Sequence, residues 1–311
     1  MPPEPQSLDL LNRLDTFGAL PVESWTPGIA RLLDPVLSGM SGPGPDVAVV
    51  RDVRLDGDGG QFDIRVLGPH AEAHSIVVYL HGGGWVTGDI DYQYDNVARQ
   101  LVATAGCTVV LVNYRTAPEH PFPTPLEDCF TALGWAAEHA SELARADAPL
   151  VVAGDSAGGN IAAALTHRVR DEGGPRIDAQ ILIYPVTDCD TETASYLAEE
   201  NQLFLTREAM LWFWDHYLPD ERARVRPAAS PLRAESFRDL PPALIYLAEF
   251  DPLRDEGHAY AEALRAAGVP VVVHEAEGQM HGFFQMADIL PGFRTGLATV
   301  AAYLEKVTTH A

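Results

Sequence analysis

Apolar residues follow two different patterns along the chain, first alternation with polar residues and then short continuous runs. Residues 47–55 and 62–67 alternate between apolar and polar side chains on either side of the turn DGDGG, which predicts an antiparallel hairpin. Six later apolar runs, each followed by a helical stretch, are typical of parallel strands buried on both faces. These runs are 75–80, 107–112, 149–153, 179–184, 243–248 and 269–273. The pattern predicts an α/β protein with a mostly parallel central sheet flanked by helices and an antiparallel start.

Two segments fall outside this alternation. The N-terminal segment, residues 1–40, has a helical apolar face over 28–37. The insert, residues 186–235, has a predicted helix over 206–217 that begins after an N-cap threonine. Ordinary helices packed on the core would give the same pattern, but we favour a helical cap over the strand ends. The α/β core then comprises the remaining residues, 41–185 and 236–311.

A candidate nucleophile follows the third of the six runs. Residues 154–158 read GDSAG, directly after an apolar strand and before a stretch compatible with a helix. Glycines on both sides of Ser156 permit a sharp strand-to-helix turn that exposes its hydroxyl group. The following helix directs its positive N-terminal end towards developing negative charge. Three fixed residues recur by chance, so it is this position that favours a nucleophile over a structural turn.

A run of glycines follows the first of the six strands. Residues 81–85 read HGGGW, and consecutive glycines allow N–H groups to point at one spot, as an oxyanion hole requires. A phosphate-binding loop is the competing interpretation, but no G-x-x-x-x-G-K-[ST] pattern occurs and the single lysine is Lys306. A flexible glycine turn is the remaining alternative. Trp85 is either core or pocket wall, and its position after these glycines favours the pocket.

A serine nucleophile requires a base and an orienting acid. Among 11 histidines, His281 follows the last apolar run after a predicted polar loop, EAEGQM, and precedes a glycine, so it can reach over the strand ends. Asp251 follows the strand ALIYLA and is the favoured acid. Asp188, after the preceding strand, is the alternative acid.

Five motifs in this order resemble those of the bacterial hormone-sensitive-lipase-like esterases, which have the α/β-hydrolase fold. They are HGGGW at 81–85, NYRTAPEHPFP at 113–123, GDSAGGN at 154–160, AEFDPLRDEG at 248–257 and HGF at 281–283. The order of serine, aspartate and histidine is also the one expected of α/β-hydrolases. Thr116 and Thr124-Pro125 depart from the more usual leucine and Ala-Ala, in a loop that carries no chemistry.

The resemblance implies roles for individual residues. Ser156 would be the nucleophile, His281 the general base and Asp251 its orienting acid. The oxyanion hole would consist of the N–H groups of Gly82, Gly83 and Ala157. Independently of the resemblance, Trp212 and Trp214 of the insert, like Trp85, are either core or pocket wall, and all three are candidate substrate-binding residues. The resemblance further implies a helical cap, a possible homodimer, and short- to medium-chain acyl esters as substrates. Hydrolysis by these three residues would pass through an acyl-enzyme and needs neither cofactor nor metal.

Two other functions use the same scaffold. An amidase or N-deacetylase would use the same three catalytic residues. A non-catalytic ligand-binding protein of this type keeps the serine but lacks the histidine, so the presence of His281 favours an enzyme.

Composition and charge argue against several classes of partner and site. Against 44 acidic residues the chain of 311 has 21 basic ones, a net charge of −23, which argues against a nucleic acid or an anionic membrane as partner. Three scattered cysteines predict neither a disulfide framework nor a zinc site. No signal-peptide pattern opens the chain and no apolar run approaches the ~18 residues of a membrane span. We therefore expect a soluble, cytoplasmic protein.

Overall fold

The computed structural model describes residues 2–16 and 21–310. Eight strands form one sheet in the spatial order β1-β2-β4-β3-β5-β6-β7-β8. Strand β2 is antiparallel to both of its neighbours, and the later strands are parallel. The strands are β1 (Val49–Gly57), β2 (Gly60–Gly68), β3 (Ile76–Leu80), β4 (Thr108–Asn113), β5 (Leu150–Asp155), β6 (Ala179–Ile183), β7 (Ala243–Phe250) and β8 (Val271–Met280).

The predicted hairpin and all six predicted parallel strands are confirmed, but the last strand is longer than expected. The stretch EAEGQM, predicted as a loop, belongs to β8, which continues to Met280. Because β8 lies at the edge of the sheet, several of its side chains face solvent and are polar, which hides the strand in the sequence. His281 therefore follows the strand directly.

Helices cover both faces of the sheet. Helices α4 and α11 pack on one face, whereas α5, α7 and α10 pack on the other. Alternate residues of β3 are divided between these two cores, since successive side chains of a strand point to opposite faces. The helices are α1 (Pro5–Thr16), α2 (Pro27–Ala30), α3 (Leu33–Ser41), α4 (Gln93–Ala105), α5 (Thr124–Glu138), α6 (Ala140–Leu143), α7 (Ala157–Glu172), α8 (Ala194–Leu197), α9 (Arg207–Tyr217), α10 (Arg254–Ala266) and α11 (Pro291–His310).

The prediction of one continuous helical face over 28–37 is wrong. Two helices, α2 and α3, replace it, and Leu32 between them is 64% exposed instead of buried. Pro35 explains the break, because in a continuous helix it could not donate to the carbonyl group of Arg31 and its ring would clash there. The predicted helix of the insert is confirmed as α9, where the hydroxyl of Thr206 accepts the N–H of Ala209 at 3.1 Å.

The N-terminal segment and the insert touch each other through aromatic rings. The ring of Trp25 lies 5.7 Å from that of Trp212 and 6.3 Å from that of Phe213, edge to face in both pairs. Such pairs stabilise a contact beyond the area that they bury. Across residues 2–16 and 21–310, no helix is both long and apolar enough to cross a membrane.

Candidate active site

Ser156 occupies the sharp turn that the sequence predicts between β5 and α7. Its backbone has φ 55° and ψ −118°, which a non-glycine residue rarely adopts. The flanking glycines are required for space: a Cβ atom on Gly158 would lie 2.0 Å from the carbonyl oxygen of Leu80, and one on Gly154 2.5 Å from Gly158. The turn is fixed by the Ser156 N–H, which donates to Ile183 at 2.9 Å.

Three side chains that are distant in sequence form one hydrogen-bonded row. His281 Nε2 lies 3.0 Å from Ser156 Oγ, and His281 Nδ1 lies 2.8 Å from Asp251 Oδ2. All three are buried, with exposed fractions of 7% for Ser156, 4% for His281 and 0% for Asp251. With the Nδ1 proton donated to the carboxylate, Nε2 is an acceptor for the serine proton. The structure thus brings together the three residues that the sequence singles out.

The backbone holds the acid in place. The second oxygen of Asp251, Oδ1, accepts the N–H of Leu253 at 2.8 Å, so both carboxylate oxygens have partners. Asp188, the alternative acid, instead pairs with Arg233 through both of its oxygens. The alternative is therefore wrong, because the carboxylate of Asp188 is engaged elsewhere.

The N–H of Gly82 is not free, which corrects one of the expected oxyanion donors. It donates to Tyr94 Oη at 2.9 Å and to Asp155 Oδ1 at 3.1 Å. Tyr94 Oη in turn donates to Asp155 Oδ2 at 2.9 Å, and Tyr79 Oη donates to Oδ1 at 3.0 Å. An N–H group that already donates inside the protein cannot also bind an oxyanion without losing those bonds.

Three other N–H groups near the serine have no acceptor among the residues that the structure describes. They belong to Gly83, Gly84 and Ala157. Ala157 opens α7, so its N–H has no partner within the helix. Both glycines have positive φ, 111° at Gly83 and 57° at Gly84. Sequence reasoning missed Gly84: three successive glycines give no signal of which N–H is already bound.

Asp155 is a buried carboxylate that accepts hydrogen bonds from the start of the glycine loop and from two tyrosines. Burial raises its pKa to about 6, while the hydrogen bonds from Tyr94, Tyr79 and the N–H of Gly82 act in the opposite direction. Beside it, burial lowers the pKa of His81 to about 4, so this imidazole is neutral near pH 7. Its Nδ1 contacts the carbonyl oxygen of Gly82 at 2.8 Å and its ring stacks on Tyr114 at 4.1 Å. Asp155 and His81 therefore both hold the start of the glycine loop in place.

Two of the tryptophans predicted to line the pocket lie in the core. Trp85 and Trp214 are both 0% exposed, and the Trp85 ring stacks on Tyr217 at 4.2 Å. A side chain with no exposed surface offers none to a substrate, so the prediction is wrong for both. Trp212 is half-buried, which leaves its prediction open.

Two phenylalanines of the insert lie beside the glycine loop and beside the residue that follows His281. A Cβ atom on Gly84 would lie 2.2 Å from the ring of Phe213, and one on Gly282, next to His281, 2.8 Å from Phe204. Both rings are half-buried. The sequence missed them, although the aromatic content of the predicted helix over 206–217 was a signal for Phe213.

No group of three or more His, Cys, Asp or Glu side chains within residues 2–16 and 21–310 is arranged to hold a metal ion. The three cysteines are free thiols, and Cys107 and Cys129 are buried.

A serine, a histidine and an aspartate at the carboxyl ends of parallel strands define a hydrolase of the α/β type. The family model described as alpha/beta hydrolase fold matches residues 77–285. The chain belongs to the α/β-hydrolase family, and its expected place among the hormone-sensitive-lipase-like esterases is confirmed by the relatives that follow.

Known proteins resemble the chain over most of its length. It is 43% identical over 253 residues to the esterase LipI of Mycobacterium tuberculosis, covering 79% of this chain and 78% of that protein. It is 35% identical over 256 residues to an ethyl acetate hydrolase of Pseudomonas putida, covering 80% of each. The crystal structure of a thermostable esterase from Pseudomonas putida superposes with a TM-score of 0.88 at 34% identity, covering 99% of this chain and 98% of that one.

Proposed function

We propose that the protein is a serine carboxylesterase that hydrolyses short- to medium-chain acyl esters. The observation that carries the proposal is the row Ser156–His281–Asp251, with contacts of 3.0 Å and 2.8 Å. The names of the relatives, esterase and ethyl acetate hydrolase, support ester over amide substrates.

The first half-reaction acylates the serine. His281 Nε2 takes the proton as Ser156 Oγ attacks the ester carbonyl carbon, and Asp251 stabilises the imidazolium that forms. The tetrahedral oxyanion accepts hydrogen bonds from the N–H groups of Gly83, Gly84 and Ala157. The imidazolium then returns its proton to the leaving alkoxide, so the alcohol departs and an acyl-enzyme remains.

The second half-reaction releases the acid. His281 removes a proton from a water molecule, which attacks the acyl carbonyl carbon, and the same three N–H groups bind the second oxyanion. Collapse of this intermediate returns the proton to Ser156 Oγ and frees the carboxylic acid. Every proton moves between substrate, water, Ser156 and His281.

The insert and the N-terminal segment together form the cap of this enzyme. Phe204 lies against Gly282, next to the histidine, and Phe213 lies against Gly84 of the glycine loop. Aromatic rings beside both the histidine and the glycine loop limit the space for the acyl and alcohol groups, which supports substrates of modest size. Assembly as a homodimer and location in the cytoplasm stay predictions.

The test is hydrolysis of p-nitrophenyl esters across acyl lengths, together with labelling by a fluorophosphonate read by intact mass. We expect turnover and a single adduct in the wild type and in the control Ser141→Ala, an exposed serine, and neither in Ser156→Ala. The corresponding p-nitroanilides should react far more slowly. An adduct without ester turnover, combined with faster anilide hydrolysis, would contradict the proposal and support an amidase.

A further inference from the structure

The loop that carries Gly83 and Gly84 is held at one end by the core alone. This oxyanion loop, residues 82–88, joins β3 to the region before α4. At its start the N–H of Gly82 is bound by Tyr94 and Asp155, and the preceding carbonyl of His81 accepts the hydroxyl of Tyr114 at 2.7 Å. The core therefore fixes where the loop begins.

The far end of the oxyanion loop is held by the N-terminal segment. Arg31 Nε donates to the carbonyl oxygen of Val86 at 2.9 Å, and Asp34 Oδ2 accepts the N–H of Gly88 at 3.0 Å. These two side chains lie three residues apart, at the break between α2 and α3. They bind one acceptor and one donor of the same short stretch of backbone.

Further contacts fix both side chains. Asp34 is 6% exposed, and its second oxygen, Oδ1, accepts Gln93 Nε2 at 3.0 Å. Arg31 forms a two-pronged pair with Glu119 and also donates to the carbonyl oxygen of Ala117 at 3.0 Å. Burying a carboxylate lowers the stability of the folded protein unless the carboxylate accepts hydrogen bonds. The two hydrogen bonds that Asp34 accepts offset this loss.

The far end of the oxyanion loop borders a cavity, so its hydrogen bonds to Arg31 and Asp34 are not backed by packed side chains on that side. An open cavity of about 630 Å³ adjoins this end of the loop, and Arg31, Asp34 and Gly88 are among its lining residues. Ser156 is not among them. Gly88 has φ 91°, and a Cβ atom there would lie 2.4 Å from His81 Nδ1, so only glycine fits at this end of the loop.

We propose that Arg31 and Asp34 are positioning residues, which clamp the far end of the oxyanion loop so that the N–H groups of Gly83 and Gly84 are preorganised for the oxyanion. The N-terminal segment would then contribute to the chemical step as well as to the wall of the pocket. This inference rests on the proposed function, because it assigns these residues to the oxyanion of ester hydrolysis. Preorganised donors act mainly on the transition state, so the clamp should affect kcat more than KM.

Asp34→Ala removes the acceptor of Gly88, and we expect kcat to fall about 10- to 100-fold with little change in KM, below the 10²–10³ cost of losing a whole donor. Asp34→Asn should recover most of the loss. Its amide oxygen can accept the Gly88 N–H. Its NH₂ group can donate to Gln93 Oε1, which has no partner among the described residues, once the Gln93 amide turns so that Oε1 replaces Nε2 in facing position 34. The matched control is Asp46→Ala, an exposed carboxylate beyond α3.

A second readout separates positioning from general damage to the fold. The affinity for a trifluoromethyl ketone, which forms an oxyanion on the serine, should weaken in Asp34→Ala by the same factor as kcat/KM. The affinity for the product alcohol should not change. Should Asp34→Ala fail to fold, Arg31→Met carries the same test, because it removes the bond to Val86.

The outcomes are distinct. Wild-type turnover together with an unchanged kcat in Asp34→Ala would overturn the inference and leave the proposed function intact. So would equal losses in Asp34→Asn and Asp34→Ala, or a loss that appears only in KM and melting temperature. A wild type without ester turnover would instead refute the proposed function itself.

Discussion

The catalytic triad and the oxyanion loop lie side by side, yet different parts of the molecule determine them. Ser156, Asp251 and His281 each follow directly after a parallel strand of the same sheet. In the oxyanion loop, the identity of the free N–H groups depends on contacts from α3, α4 and the end of β5. The comparison teaches that strand ends place side chains, whereas tertiary partners decide which backbone groups remain available.

Among the variants that test this comparison, the largest fall in kcat should come from replacing Asp251, the acid of the triad. Asp251→Asn would favour the wrong imidazole tautomer, with Nδ1 as acceptor, and we expect kcat to fall by about 10⁴. Asp188→Asn is the matched control, because the structure pairs Asp188 with Arg233 and not with His281. The measurement is p-nitrophenyl acetate hydrolysis under saturating substrate.

Equal losses in Asp251→Asn and Asp188→Asn would contradict the assignment of a single acid. A loss confined to Asp188→Asn would restore the alternative that the sequence left open.

A smaller effect tests the correction at Gly82. Tyr94→Phe removes the hydroxyl that accepts the Gly82 N–H, and we expect kcat to fall about tenfold as one support of the loop is lost. Tyr79→Phe is the control, since Tyr79 also donates to Asp155 but does not touch Gly82. We expect it to lower kcat less than threefold, within the range of one buried hydrogen bond. If Gly82 were itself an oxyanion donor, removing one of the two acceptors that compete for its N–H would maintain or raise kcat.

The same contrast explains what the sequence could predict. The triad was predictable because Ser156 and Asp251 follow clear apolar strands and His281 precedes a glycine near the sheet edge. The donors were not, because no pattern reveals that Tyr94 and Asp155 occupy the N–H of Gly82. The positions of Trp85 and Trp214 were missed for a related reason: an aromatic residue beside a site packs inward or outward according to its neighbours.

The smallest effect concerns the dependence of stability on pH. Burial lowers the pKa of His167 and of His81 to about 4, whereas an unfolded histidine titrates near 6.5. Between those values the unfolded state binds more protons, so these residues make the free energy of unfolding fall as the pH drops from about 6.5 to 4. Asp155 acts oppositely: its raised pKa of about 6 makes stability fall as the pH rises from about 4 to 6.

Near the oxyanion loop the contributions of His81 and Asp155 therefore oppose each other, while His167 on α7 has no such counterpart. We expect His167→Gln to reduce the loss of unfolding free energy between pH 7 and pH 5 by about 1–2 kcal/mol. Urea unfolding at both pH values measures it. The same loss in both proteins would show that His167 does not titrate differently on folding.

The most direct test of the account is a crystal structure of the protein with a phosphonate ester bound. We predict phosphorus on Ser156 Oγ and its oxygen within about 2.7–3.1 Å of the N atoms of Gly83, Gly84 and Ala157, with the Gly82 N–H still on Tyr94. Phosphorus on another residue, or an oxygen held by a Gly82 N–H that has left Tyr94, would contradict it.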